Sequence, residues 1–166
     1  MVVDPSELKA FSNRACSIIE SVFRSNRLLK IMSKITLEWS NRFTVDAGRA
    51  YFYDSKIVLG YKLFKMATQE QRDNVAAHEA AHIIAFYKNL ETDHGPNWRE
   101  AMLKAGYKPS VFHNINCGVP VKCKCKDSFR ISPARAGRLK SGKTRYSCIV
   151  CHEQVSLLEP SELATC

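Results

Sequence analysis

The chain has 166 residues, 45% hydrophobic and 25% charged, which bounds it to one globular domain or one domain with a small appendage. No apolar run approaches the ~20 residues of a membrane helix, and the start, MVVDPSELKAF, lacks a basic segment followed by an apolar one. The sequence therefore predicts no membrane partner, no secretory leader, and an intracellular location in cytoplasm, nucleoid or nucleus. The formal net charge of +9 favours an acidic partner.

The first predicted element starts at Asp4-Pro5-Ser6-Glu7, with Asp4 as N-cap, Pro5 in the first turn and Glu7 reaching back. Leu8, Phe11, Ala15, Ile18, Ile19 and Val22 follow at helical spacing. From Lys34 the period becomes two, because Ile35, Leu37 and Trp39 alternate with polar residues as in a half-buried strand. Arg49 to Tyr53 and Lys56 to Leu59 read as two more strands, joined by a tight turn at Asp54-Ser55. Thr68 and Gln71 form a capping box before a long helix, and a shorter helix from about Asn97 to Ala105 ends at Gly106.

The long helix carries HEAAH. At about 3.6 residues per turn, His78 and His82 leave one face, a spacing that suits one metal ion. Glu79 lies beside that face and is placed to reach a water without ligating the metal. A catalytic zinc commonly has three protein ligands, and His94, before the turn-forming Gly95-Pro96, is the best third. Asp93 and Glu91 are rivals. In an enzyme, Glu79 would take a proton from water acidified by the metal and deliver it to the leaving group. Tyr51 and Tyr53 are weaker candidates for holding the oxyanion, and the strand edge near 49–53 is suited to pair with an extended substrate.

Four of seven Cys fall in the tail as Cys123-Lys-Cys125 and Cys148-Ile-Val-Cys151, with 22 residues between the pairs. That pattern predicts a four-thiolate structural zinc rather than disulfides, with Cys117 or His152 as alternative fourth ligands. Phe129, Ile131, Tyr146 and Val155 suit short strands. Cys16 and Cys166 read as buried or frayed free thiols. From residue 122 to 145 there are nine cations, Lys122, Lys124, Lys126, Arg130, Arg135, Arg138, Lys140, Lys143 and Arg145, against Asp127 alone. This run holds +8 of the +9 charge and, with Phe129 and Tyr146 as stacking surfaces, predicts a nucleic-acid interface, the partner being DNA that is single-stranded or at a duplex junction. The expected division is 1–120 and 121–166, in a monomer.

HEAAH, then HGPNW at His94 to Trp98, then Met102 and Gly106, resemble the SprT family, which includes the Spartan proteases. AGRAYFYDSKIVL at 47–59 is similar to the family's strand pair, and the Cys-rich tail resembles its zinc ribbon, so most of residues 34–158 is covered. Gly60 stands where the family has Asn, and Ala80 where Leu is commoner. The resemblance implies an α+β fold, a minimal zincin-like metalloprotease domain with an N-terminal helix, a three-stranded sheet and the HExxH helix, followed by a zinc ribbon. It implies one catalytic and one structural Zn2+, and an endopeptidase that depends on DNA and cleaves proteins bound or crosslinked to it. His113 stands where relatives carry a His, as a ligand support, an oxyanion donor or a structural residue. Two other classes compete. A non-enzymatic DNA-binding or adaptor protein would have no use for Glu79; a metal-dependent hydrolase of a non-peptide substrate would keep it.

Overall fold

The computed structural model describes residues 3–43, 46–111, 115 and 119–158. The chain divides into two compact units, Met1–Ile115 and Asn116–Cys166, and its architecture is α+β. Among the described residues no helix is long and apolar enough to cross a membrane.

The first unit opens with α1 (Pro5–Ser25), whose Asp4 cap accepts the Ser6 and Glu7 backbone N–H groups. Glu7 does not reach back. Its carboxylate instead accepts from the Tyr61 hydroxyl and, at 2.9 Å, from the Lys65 ammonium. The apolar stripe is buried from Phe11 to Phe23, and Cys16 lies on the exposed side of the helix, not within the core. A single turn, α2 (Leu29–Met32), leads into β1 (Thr36–Ser40), where Ile35, Leu37 and Trp39 alternate with exposed residues.

β2 (Gly48–Tyr51) and β3 (Lys56–Gly60) complete the sheet in the order β1-β3-β2, with β1 parallel and β2 antiparallel to β3. β3 is central, and Ile57 and Leu59 are fully buried. β2 stops two residues earlier than the sequence predicts. The connection is a four-residue turn, Phe52 to Ser55, closed by Ser55 N–H to Phe52 C=O at 3.2 Å, with Ser55 left-handed at φ 49°. Gly60 is explained by crowding, since a Cβ there would stand 3.0 Å from the Asp46 carbonyl oxygen and 3.2 Å from Phe43 Cβ. α3 (Tyr61–Met66) follows directly and buries Tyr61, Leu63 and Phe64.

α4 (Gln69–Asn89) starts at the capping box of Thr68 and Gln71. Every residue from Val75 to Ala85 is buried, so this helix is covered on all sides, and its small Ala residues permit that close packing. α5 (Pro96–Lys104) buries Trp98, Ala101 and Met102, and ends before Gly106 in the left-handed region, φ 80°.

In the second unit, β4 (Val119–Cys123) lies between β5 (Lys126–Ile131) and β6 (Ser156–Leu157), antiparallel to both. Val121, Cys148 and Val155 form its small core. Between the Cys pairs the chain is not a simple hairpin. It forms a helix, α6 (Pro133–Lys140), capped by the Ser132 hydroxyl, and only a single bridge, Ser147 with Gln154, joins the segments around Tyr146 and Val155.

Candidate active site and metal centres

One helical turn on α4 aligns His78 and His82, and the loop after α4 returns His94 to them. The three Nε2 atoms form a triangle with edges of 3.2 Å (His78 to His82), 3.3 Å (His82 to His94) and 3.0 Å (His94 to His78). Three ring nitrogens cannot satisfy three mutual contacts with hydrogen bonds, because each carries at most one proton and that proton points one way. A shared cation resolves the conflict. Tetrahedral nitrogens at the usual zinc distance stand about 3.3 Å apart, so the donor set fits zinc.

The residues around the triangle fix its shape. His78 Nδ1 lies 3.3 Å from the Ser110 carbonyl oxygen, a contact that assigns the proton to Nδ1 and turns the Nε2 lone pair inward. Trp98 is fully buried beneath all three imidazoles, with ring centroids at 4.9 Å from His78, 5.7 Å from His82 and 4.6 Å from His94. Its indole N–H donates to the His78 carbonyl at 3.3 Å. Glu91 is not the third ligand. Its carboxylate accepts from the Trp98 N–H at 2.9 Å and from the Asn97 N–H and side-chain amide at 3.3 and 3.0 Å, which caps α5 and braces the His94 loop. Asp93 accepts from the Gly95 N–H at 3.1 Å. Gly95 admits no side chain, because a Cβ would stand 2.7 Å from the Glu91 carboxyl carbon.

Glu79 is buried, and its carboxylate accepts the Ala50 backbone N–H of β2. Burial is the main reason its pKa is pushed up to about 8; the Ala50 N–H opposes that, Asp46 adds to it and Arg49 opposes it. The side chain lies flat against β2, where a Cβ on Gly48 would stand 2.7 Å from Glu79 Cγ.

The second centre gathers Cys123, Cys125, Cys148 and Cys151, whose Sγ atoms all lie within 4.8 Å of one another. Separations of 3.3 Å (Cys123 to Cys125), 3.5 Å (Cys125 to Cys148) and 4.0 Å (Cys151 to Cys123) are far too long for disulfides. They bracket the ~3.8 Å between thiolates around tetrahedral zinc. The Cys151 and Val150 backbone N–H groups draw Cys148 down to about 6, toward the thiolate a metal needs. His152 is exposed, with φ 59°, and is not in this group; Cys117 lies outside the described residues.

The SprT-like family model matches residues 15–124. That span exceeds half of the chain. The chain belongs to the SprT-like family. Its relatives include the Protein SprT of Shewanella oneidensis, 27% identical over 120 residues, which are 68% of this chain and 76% of that one. The Protein SprT of Proteus mirabilis is 26% identical over 133 residues, 75% of this chain and 78% of the relative. That of Klebsiella pneumoniae strain 342 is 26% identical over 144 residues, 81% and 86%.

Other residues marked in this SprT-like chain are distributed more widely. Tyr51 takes the Lys56 ammonium over its ring at 5.2 Å and, with Glu38 and Val58, lines a 410 Å³ cavity rather than the triangle. Tyr53 is exposed, and His113 lies outside the described residues, as does Cys166. Phe129 and Tyr146 pack against the core of the second unit instead of standing clear as stacking surfaces. Arg135, Arg138 and Lys140 are exposed on α6, followed by exposed Lys143 and Arg145. Lys122 lies on β4, Lys126 and Arg130 on β5, and Lys124 pairs with Glu153 at 2.9 Å. Trp98 was not marked from the sequence as a residue of the site. The signal that it serves the site is its position four residues after His94, in the first turn of α5.

Proposed function

We propose that this SprT-like chain is a zinc-dependent metalloendopeptidase with a minimal zincin-like site, that it depends on DNA, and that it acts on proteins bound or crosslinked to DNA. The observation that carries the reading is the convergence of three imidazole nitrogens on one point with a buried carboxylate, Glu79, one residue along the same helix. His78, His82 and His94 would hold zinc, which when bound supplies the Lewis acidity that makes a neighbouring water acidic near neutral pH and polarises a carbonyl. Glu79 accepts the proton of the attacking water and passes it to the leaving amine, the task of a general base held one residue from the first imidazole on the same helix. A structural site would gain nothing from a carboxylate buried at that cost.

β2 supports the polypeptide substrate. It is an edge strand, and its Ala50 N–H points at Glu79, so its outer edge borders the site. An extended segment laid along that edge is held by main-chain hydrogen bonds, with little demand on sequence. Restraint then has to come from elsewhere, and the exposed cations of the second unit suit DNA phosphates. Cys123, Cys125, Cys148 and Cys151 would hold a structural zinc that fixes their scaffold.

The test is cleavage of a DNA-bound protein by the zinc-loaded chain, with and without DNA. Cleavage that needs DNA and stops when zinc is chelated is the expected result. A zinc-replete chain that leaves the substrate intact in both conditions refutes the proposal.

A further inference from the structure

Among the described residues of the first unit, two groups of aromatic rings stand apart from Trp98. One is made of Phe11, Tyr61 and Phe64, all buried, with the half-buried Trp39. The other runs outward from the candidate site. Phe52 meets the His82 ring edge-on at 6.3 Å, Phe86 stacks on Phe52 at 5.2 Å, and Tyr53 meets Phe86 edge-on at 5.3 Å. These rings are not sealed. Tyr53 is 91% exposed, and Phe52 and Phe86 are half-buried.

One contact ties this ledge in place. Tyr87 OH and Ser55 Oγ are 2.8 Å apart, joining the β2–β3 turn to the last turn of α4. A cluster that served only to fasten the turn would cover its rings. This one is open, as a binding surface requires.

We infer that Phe52, Phe86 and Tyr53 form a subsite for an aromatic or large aliphatic side chain of the polypeptide substrate, close to the bond that is cut. The inference rests on the peptidase reading of the His78–His82–His94 site. Continuity fixes the position, because the first ring of the ledge touches a metal-ligand candidate and the turn carrying it continues edge strand β2. One residue of an extended chain spans about 3.3 Å, so a side chain one or two residues from the scissile carbonyl reaches Phe52 and Phe86. The charges nearby in sequence are mixed, Asp54 and Asp93 against Lys56 and Lys88, which fits a polypeptide better than the phosphates of a nucleic acid. The subsite gives preference to a site otherwise selected by backbone alone.

The experiment uses the full zinc-loaded chain and protein loops that differ only in the residues flanking the cut: Phe, Leu or Ser. The parent should favour Phe and Leu over Ser by roughly ten- to a hundredfold in kcat/KM. Phe86→Ala should collapse that ratio, Phe86→Leu should restore part of it, and Tyr53→Ser, at an exposed position, should lower it with folding intact. Binding of the same peptides to Glu79→Gln, followed by fluorescence anisotropy, should show the same order. An equal response to Phe and Ser in both assays overturns the subsite, as does a preference untouched by all the variants. Ordered binding with no cleavage by the parent upholds the subsite and removes the peptidase reading. A single-stranded oligonucleotide that displaces the peptide and loses affinity in Tyr53→Ser assigns the ledge to bases and overturns the inference.

Discussion

Trp98 is the residue on which the imidazole triangle rests, since one ring contacts all three ligand candidates and its N–H fixes the backbone of the first. Gly48 and Gly95 do the complementary work of leaving room, one for Glu79 and the other for the carboxylates that brace the His94 loop. Gly48→Ala is the cleaner probe. Its Cβ would press on Glu79 Cγ, at 2.7 Å, without touching a metal-ligand candidate. The expected outcome is a loss of turnover on the order of 10²-fold from a displacement near 1 Å, with the zinc content unchanged by elemental analysis. His78, Glu79 and His82 were legible because i and i+4 are fixed by the helix itself. The roles of Trp98 and Glu91 were not, because they depend on where α5 packs, and a Glu three residues before a His looks the same in sequence whether it ligates a metal or caps a helix.

Among the elements, α1, α4, α5 and the three strands of the first unit were readable from periodicity and caps. α2 and α3 were missed because four and six residues are too short to show a period, and neither has a side-chain cap at its start. α6 was hidden by its charge. Its Ala136 is buried and its Leu139 packs against the core of the second unit, but the density of Lys and Arg around them reads as a solvated strand pair. The helix concentrates Arg135, Arg138 and Lys140 on one short rigid element, flanked by Lys143 and Arg145. If these five exposed cations meet phosphates, three to five contacts give a log-log salt slope of about −0.9 per phosphate on duplex DNA, or about −0.7 on single strands. Reversing Arg135, Arg138 and Lys140 to Glu should weaken DNA binding alike for all sequences, since phosphate contacts carry no base information. A salt titration of the triple variant checks this. Binding and slope equal to the parent's would make the helix a solvated face.

Among the described residues of the whole molecule, two candidate ligand sets lie in two separate units, His78, His82 and His94 in one and four Cys in the other. The His78–His82 pair and the Cys pairs are legible from spacing, whereas His94 is legible only as the best of three candidates, before the turn at Gly95-Pro96. The sequence did not reveal the aromatic ledge, because stacking of Phe52 on Phe86 joins residues 34 positions apart. The proposed function needs the three imidazoles to hold a metal and Glu79 to move the proton. Glu79→Gln, measured for bound zinc and for hydrolysis of a protein substrate, tests both together. Two zinc ions per chain, as in the parent, and a rate lower by roughly 10² to 10⁴ are expected. Parental turnover in a Gln variant that retains both ions would contradict the role of Glu79.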